Sequence, residues 1–381
     1  MSKPSIPYNR PPVEGKELTY LQEVISGRHF SGDGPFTKRC TSWLEENLKA
    51  KKALITHSCT AAMEMSAILC DLRAGDEVIM PSFTFSSTAN AVVLRGAVPV
   101  FLDLRTDTMN LDEKIVEAAI TPRTRAIFAV HYAGVACEMD TLLEIAQRRQ
   151  LLLLEDAAQG MLSTYKGRPL GTIGHLGSLS FHETKNVVSG EGGALLINDA
   201  RYDDRAEIIR EKGTNRRQFL RGQVDKYTWV DLGSSYLPSE FITAVLFAQL
   251  EKARAITDER LGIWGRYHAA FADLETKGYV RRPTIPTECG HNGHIYYLLA
   301  GNLTERTDLI AHLKAQGIGA PFHYVPLHST PAGRKYGRTH GPMARTDSHA
   351  DRLLRLPLWV GLSESDQAIV IEQVHAFYRA R

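Results

Sequence analysis

Along the chain, short apolar runs alternate with longer stretches in which apolar residues recur every three or four positions. The runs near 77–80, 97–102, 126–131 and 151–155 predict buried strands, and Leu54-Ile55-Thr56 predicts another. The periodic stretches near 15–26, 36–48, 86–94, 112–119 and 139–149 predict helices, and from Ala61 to Leu72 the residues Met65, Ile68, Leu69 and Leu72 share one helical face. Strand and helix in regular alternation point to an α/β domain: a largely parallel sheet with helices on both faces. A long amphipathic helix is expected from about Ser239 to Arg254 or beyond, and the second domain is expected to begin inside it. The division is therefore 1–250 for a large domain, N-terminal segment included, and 251–381 for a smaller α+β domain. That smaller domain has a strand at Ile295 to Ala300, a helix at 304–316 and a C-terminal helix at 364–379 carrying Ile369, Val370, Val374 and Phe377. Residues 1–14, with four prolines, should be extended.

Composition narrows the function classes. Charged residues make up 23% of the 381 positions, the formal net charge is +2, and no block of one sign is sustained, so neither nucleic acid nor a membrane surface is indicated as a partner. No apolar run is long enough to span a membrane and the first residues carry no apolar leader core, so a cytoplasmic protein is expected. Cys40, Cys59, Cys70, Cys137 and Cys289 show no metal-ligand spacing, and His182-Glu183 lacks a second histidine because position 186 is asparagine. No metal site is expected. Gly171, Gly174 and Gly177 recur at the wrong spacing for a dinucleotide fingerprint.

Candidate chemistry gathers where the expected strands end. The run 151–155 delivers Asp156, followed by Ala157, Ala158 and Gln159; this is a helix cap in the bland reading and, in the other, a carboxylate for a protonated pyridine nitrogen. Downstream, Leu179 to Phe181 leads into a turn-rich stretch that places Lys185 on a loop leaving a strand, where apolar surroundings lower the proton affinity of an amine. Taken alone, Lys185 is a solvated surface lysine as readily as a nucleophile. Between the strand at 54–56 and the helix at 61–72, the turn His57-Ser-Cys-Thr60 makes either an ordinary N-cap or an anion site at a helix N-terminus. The loop Ser31-Gly-Asp-Gly-Pro35 is flexible enough to approach a substrate phosphate, or is simply a turn between helices. Residues 212–228 form a long polar loop of the kind that usually carries function.

The segments Glu155-Asp-Ala-Ala-Gln159, Ser180-Phe-His-Glu-Thr-Lys185 and Gly190-Glu-Gly-Gly193 resemble the DegT/DnrJ/EryC1/StrS sugar aminotransferases, from Pro7 to about the C-terminus. That resemblance implies the fold type I, aspartate-aminotransferase-like class of enzymes that use pyridoxal 5'-phosphate (PLP). By the same resemblance, Lys185 would form the Schiff base and shuttle the proton, Asp156 would hold the pyridine nitrogen protonated, Gln159 would address the ring hydroxyl and Phe85 would stack on the ring. Cys59, Thr60 and Ser180 would hold the phosphate, although relatives usually have glycine where this chain has Cys59, which limits that residue to a backbone contact. His182 would order the turn. The loop at 212–238 would reach across a homodimer interface into the neighbouring site. There this chain reads Gly233-Ser-Ser-Tyr-Leu-Pro238 instead of the usual Gly-Tyr-Asn-Tyr-Arg-Met, so Ser235 replaces an asparagine and Leu237 an arginine. The carboxylate of the donor, L-glutamate, must then be met elsewhere, with Lys212 and Arg216 as candidates; His323 and His328 are further substrate-binding candidates. The segments at 131–140 and 210–229 resemble those of members that aminate C4 of dTDP-4-keto-6-deoxyglucose, and by that resemblance the galacto product is expected. Another 3- or 4-keto sugar nucleotide stays open. A PLP-dependent sugar dehydratase would have histidine at position 185, and a non-catalytic relative would be expected to lack Lys185 or Asp156.

Overall fold

A computed structural model describes residues 5–13 and 15–381. Seven strands, β1 (Lys52–Thr56), β2 (Glu77–Pro81), β3 (Val98–Leu102), β4 (Thr124–Val130), β5 (Leu152–Asp156), β6 (Leu176–Ser180) and β7 (Gly193–Ile197), form a sheet in the order β1-β7-β6-β5-β4-β2-β3. The short strand Arg338–Thr339 extends it to eight by pairing parallel with β3. Only β7 runs against its neighbours. The carboxyl ends of the other six long strands, and the start of β7, therefore lie along one edge of the sheet.

Alternation along each strand feeds two cores. Ile55, Ile79, Ile127, Leu153, Leu179 and Leu196 point into one buried cluster, while Leu54, Val78, Met80, Phe128, Leu154 and Leu195 point into the other. With both faces covered, the strands must be apolar at successive positions, which is why they read as continuous runs. The helices Pro35–Leu48, Ser86–Val93, Glu113–Ala119 and Met139–Arg149 lie within two residues of the expected stretches, and the helix expected from Ala61 runs over Cys59–Leu69.

A third core gathers Ile263, Tyr267, Phe271, Tyr296, Leu298, Leu309, Leu313, Leu354, Leu356, Val370 and Val374 around the two-stranded antiparallel sheet of Tyr296–Leu299 and Leu353–Leu356. Two details differ from expectation. Ile6, expected with the large domain, belongs to this third core and bridges to Ile318. The long helix is broken: Glu240–Leu250 ends at Glu251, and a new helix runs from Ala253 to Ala270. No glycine or proline marks the break; Glu251 is instead held by the Tyr20 hydroxyl at 2.7 Å and by Lys16 at 3.2 Å. Residues 1–4 and 14 of the expected extended segment lie outside the described residues.

The Ser31–Pro35 loop is tightly engaged. Asp33, at φ 68°, pairs with Arg210 at 3.0 Å and Arg217 at 3.1 Å. The buried Glu240 carboxylate accepts the backbone N–H groups of Gly34, Phe36 and Thr37. A Cβ on Gly34 would lie 2.6 Å from that carboxylate carbon, so the second glycine serves close approach.

Candidate active site

The sheet edge opens into a cleft of about 450 Å³ lined in large part by residues next to strand ends: Ser58, Cys59 and Thr60 after β1, Thr84 and Phe85 after β2, His131 after β4, Asp156 and Ala158 at β5, Ser180 and Lys185 at and after β6. The C-terminal part closes it with His294, His323, Tyr324 and Arg355.

Asp156 is 5% exposed and its carboxylate is held at both oxygens. The Thr88 hydroxyl donates to Oδ2 at 2.7 Å and the Ala158 N–H to Oδ1 at 3.1 Å, with Thr84 supporting Thr88 at 2.9 Å. The neighbouring strand position, Glu155, is fully buried and accepts the N–H groups of Gly171, Ile173 and Gly174 at 2.8, 2.7 and 2.6 Å. His131 Nε2 stands 2.9 Å from the same carboxylate. Because its Nδ1 accepts the Cys137 N–H at 3.2 Å, the proton is on Nε2 and donates to Glu155. Adjacent acids thus divide the work: Glu155 fastens the strand end from beneath while Asp156 faces the cleft.

Lys185 sits on a turn cinched by backbone bonds, with its own N–H on the His182 carbonyl at 2.9 Å and Glu183 on Gly190 at 2.9 Å. Burial lowers the affinity of its amine for a proton, and the nearby Arg355 charge acts the same way, while Cys59 and Asp156 oppose them. The next residue, Asn186, ties the turn to the C-terminal part: its Nδ2 donates to the Asn292 carbonyl at 2.9 Å, and its Oδ1 faces His294 Nδ1 at 2.9 Å. Burial, with the Lys185 charge next, pushes His294 well below the usual imidazole range, so it is neutral and donates from Nδ1. Asn292 in turn donates to the carbonyls of Gln159 and Met161.

The turn after β1 has the form of an anion seat. Ser58 caps the helix Cys59–Leu69, accepting the Ala61 N–H at 3.1 Å, and the first N–H groups of that helix are left for a ligand. Thr60 and Ser87 share a hydrogen bond of 2.8 Å, and Ser180 lies alongside with its hydroxyl 3.4 Å from the His182 N–H. Burial pushes the Cys59 thiol well up, so it is an uncharged wall residue. Gly193 lets β7 start here: a Cβ would meet the Ser58 carbonyl oxygen at 2.5 Å.

Phe85 leaves 60% of its surface exposed, with the Tyr324 ring 6.3 Å away, and so offers an open aromatic face to the cleft. Gln159 is already engaged, accepting the Ala133 N–H at 2.6 Å and donating to the Tyr324 hydroxyl at 2.9 Å; one amide hydrogen remains. His323 lines the cleft, with Tyr132 at 2.8 Å and its ring stacked on Tyr324 at 3.7 Å. His182 is on the rim, bonded within its own turn to Thr184. Four candidates lie outside this chain's cleft. His328 is occupied by Ser82 at 2.8 Å and Asp347 at 3.3 Å, Arg216 pairs with Glu211 at 3.3 Å, and Lys212 and Ser235 are exposed on the 212–238 segment. Sequence reasoning did not single out Tyr8, Thr88, His294, Tyr324 or Arg355; only Thr88, on the helix after β2, had a local signal.

The site's donor set suits PLP. A helix N-terminus with three hydroxyls suits a phosphate, the buried Asp156 suits a pyridinium, and Lys185 supplies the amine.

The sequence profile of the DegT/DnrJ/EryC1/StrS aminotransferase family matches residues 12–375. The spore coat polysaccharide biosynthesis protein SpsC of Bacillus subtilis (strain 168) is 33% identical over 377 residues, which is 97% of this chain and 96% of that protein. Among solved structures, the aminotransferase TlmJ from Streptoalloteichus hindustanus superposes with a TM-score of 0.91 at 29% identity, covering 99% of this chain and 100% of that one. DesV of S. venezuelae, solved with a ketimine intermediate, gives 0.89 at 28% identity over 98% of each chain.

Proposed function

Since the chain belongs to the DegT/DnrJ/EryC1/StrS aminotransferase family and has the fold of the type I PLP enzymes, we propose that it is a PLP-dependent nucleotide-sugar aminotransferase. Its donor is L-glutamate and its acceptor is C4 of dTDP-4-dehydro-6-deoxy-D-glucose, giving dTDP-4-amino-4,6-dideoxy-D-galactose. The observation that carries the reading is the meeting, in one cleft, of Lys185 on its cinched turn, Asp156 held at both oxygens, and the open N-terminus of the helix at Cys59. When bound there, PLP supplies an aldehyde that exchanges amino groups and a ring that accepts electron density.

The chain's own residues do the rest. The first N–H groups of the Cys59–Leu69 helix, with Thr60, Ser87 and Ser180, bind the phosphate. Asp156 would keep a proton on the ring nitrogen, and its bonds to Thr88 and Ala158 keep the carboxylate in position. Phe85 would cover one face of the ring and so help orient the bond to be broken. Lys185 Nζ, its proton affinity lowered by burial, would take the proton from the donor's α-carbon and deliver it to the C4′ carbon on the other side of the shared nitrogen. A histidine at this position, as in the related dehydratases, could not be a Schiff-base amine, and the lysine favours transamination.

A homodimer fits the surface of the 212–238 segment, where Leu220, Tyr227, Trp229 and Val230 are each at least half exposed. From a neighbouring subunit, Ser235, Lys212 and Arg216 would approach the cleft. The relative named for polysaccharide biosynthesis supports a sugar acceptor. No helix among the described residues is long and apolar enough to cross a membrane.

The test is incubation with PLP, L-glutamate and a panel of dTDP-, UDP- and GDP-linked 3- and 4-keto sugars, with the product assigned from proton couplings at C4. Turnover confined to a GDP sugar or a C3 ketone would overturn the acceptor assignment and leave the aminotransferase; absence of amino transfer to any of them would overturn both.

A further inference from the structure

The bonds that tie the lysine turn to the C-terminal part end in one polar atom with nothing to bond. Asn292 Nδ2 donates to the carbonyls of Gln159 and Met161 at 2.9 and 2.8 Å, so its Oδ1 is the atom that accepts the His294 N–H at 3.0 Å. Asn186 is oriented by the same logic. Its Nδ2 must face the Asn292 carbonyl, which leaves Oδ1 for His294 and puts the imidazole proton on Nδ1. The buried Arg260 guanidinium takes the carbonyls of Gly293 and His294 at 3.2 and 2.6 Å. Only His294 Nε2, left with a lone pair, meets no donor among the described residues. His294 is 5% exposed and lines the cleft with Asn186 at its Nδ1 edge, so Nε2 is the ring atom a group in the cleft can reach. A buried acceptor without a donor is costly to maintain.

The charges around the ring decide what it can accept. Lys185, His323 and Arg355 share the cleft with His294, and Arg260 holds its backbone; all four oppose a second proton on the imidazole. Of the cleft's carboxylates, Asp156 is held by Thr88 and Ala158, and Glu191 stands 3.7 Å from His182. The Lys185 charge acts on the ring more strongly than that of Arg260, although Arg260 bonds to the same residue at 2.6 Å. Lys185 is thus the cation beside the imidazole, and its own amine makes no hydrogen bond among the described residues. A donor without an acceptor and an acceptor without a donor occupy one cleft.

We propose that His294 is a positioning residue for Lys185: its Nε2 accepts one N–H of the protonated amine and so fixes where the remaining N–H bonds point. The proposal deepens the aminotransferase reading and rests on it. At the donor's α-carbon the C–H bond breaks, the proton passes to Nζ, and the electron pair is left to the carbon and the bound ring. His294 gains and loses no proton. Its lone pair favours the protonated amine, against the effect of burial.

Two substitutions separate the two edges of the ring. His294→Asn keeps a donor for Asn186 and loses the acceptor, whereas His294→Gln keeps an acceptor near Nε2 and loses the tie. The first readout needs no cofactor. In PLP-free protein the pH midpoint for labelling the Lys185 amine, followed by peptide mass spectrometry, should fall by about one unit in His294→Asn and recover in His294→Gln, as expected for one hydrogen bond to a charged group. The second is single turnover of the PLP-loaded enzyme with L-glutamate. Proton transfer in His294→Asn should slow by roughly 10-fold, with a larger isotope effect from deuterium on the α-carbon and little change in PLP affinity. Without any His294 variant, the Nε2 resonance of nitrogen-15 histidine-labelled protein should move when Lys185→Met removes the amine. A resonance that does not move, or an unchanged labelling midpoint in His294→Asn, would overturn the contact. Greater impairment in His294→Gln than in His294→Asn would reduce His294 to a fastener of the turn. A wild-type enzyme inert toward every amino acid would overturn the function itself, while the labelling midpoints would still decide whether the contact exists.

Discussion

Gly193→Ala tests the phosphate seat through packing, without removing any polar group. Gly193 is the first residue of β7 and stands level with Thr56 and Ser180 on its two neighbours. An added Cβ would meet the Ser58 carbonyl oxygen at 2.5 Å, with the Cys59 N–H closer still. Ordinary contact needs about 3.5 Å, so one backbone must retreat by roughly 1 Å. Both are backbone atoms, and β7 is fixed by ladders on each side. The yielding element is therefore the first turn of the Cys59–Leu69 helix, which is the turn assigned to the phosphate. Overpacking of this kind costs about 1–3 kcal/mol of stability. A displacement of that size at a preorganised site is expected to weaken PLP binding by roughly 10–100-fold. The assay is absorbance titration of cofactor-free protein with PLP, beside thermal melts. Gly190→Ala is the control: at φ +81° with open space around it, it carries backbone strain but no clash at the seat. PLP affinity in Gly193→Ala equal to that of wild type, or to that of the control, would refute the placement of the phosphate.

Further outcomes are expected. Lys185→Ala should abolish amino transfer while far-ultraviolet circular dichroism stays unchanged, since its backbone bonds do not involve the side chain. Because burial depresses the Lys185 pKa, the amine opposes folding where the unfolded chain would protonate it; cofactor-free Lys185→Met should melt above cofactor-free wild type at neutral pH, and the gap should narrow as pH rises into the ordinary lysine range. Asp156→Asn keeps the shape and loses the charge, so single-turnover proton abstraction from glutamate should slow more than PLP affinity falls. Glu155→Gln puts an amide against three N–H donors and His131 and should cost roughly 3 kcal/mol in denaturant unfolding, with a loss under 1 kcal/mol contradicting the fastening role. Sedimentation should find a dimer, and a fully active monomer at the assay concentration would remove the cross-subunit role of residues 212–238.

What could be read from the sequence was what lies close to a strand end. Asp156 closes the strongest apolar run, Lys185 follows another, and the turn at Ser58 to Thr60 joins a strand to a helix, so local pattern and chemistry coincide at each. Arg355, Tyr8, His294 and Tyr324 come from strands, loops and a terminus that only tertiary packing brings to the cleft, and nothing in their neighbours marks them. The break after Leu250 was equally silent, and the partners of Glu251 at that point, Tyr20 and Lys16, are more than two hundred positions away. Arg338–Thr339 joins the large sheet with two residues, too few for any periodic signal. His328 was a substrate-binding candidate, yet Ser82 and Asp347 take both of its nitrogens.

The bonds from the Asn186 side chain to the Asn292 carbonyl, and from the Asn292 side chain to the Gln159 carbonyl, mean that the lysine turn is tied to a part of the polypeptide made long after it. During synthesis, the sheet and its strand ends can be complete while the Lys185 turn has only its own backbone bonds and lacks the ties from Asn292 and His294. A fragment ending before residue 290 would contain every residue assigned to the cofactor and still lack these outer ties, so on the proposed function its hold on PLP should be weaker than that of the full chain.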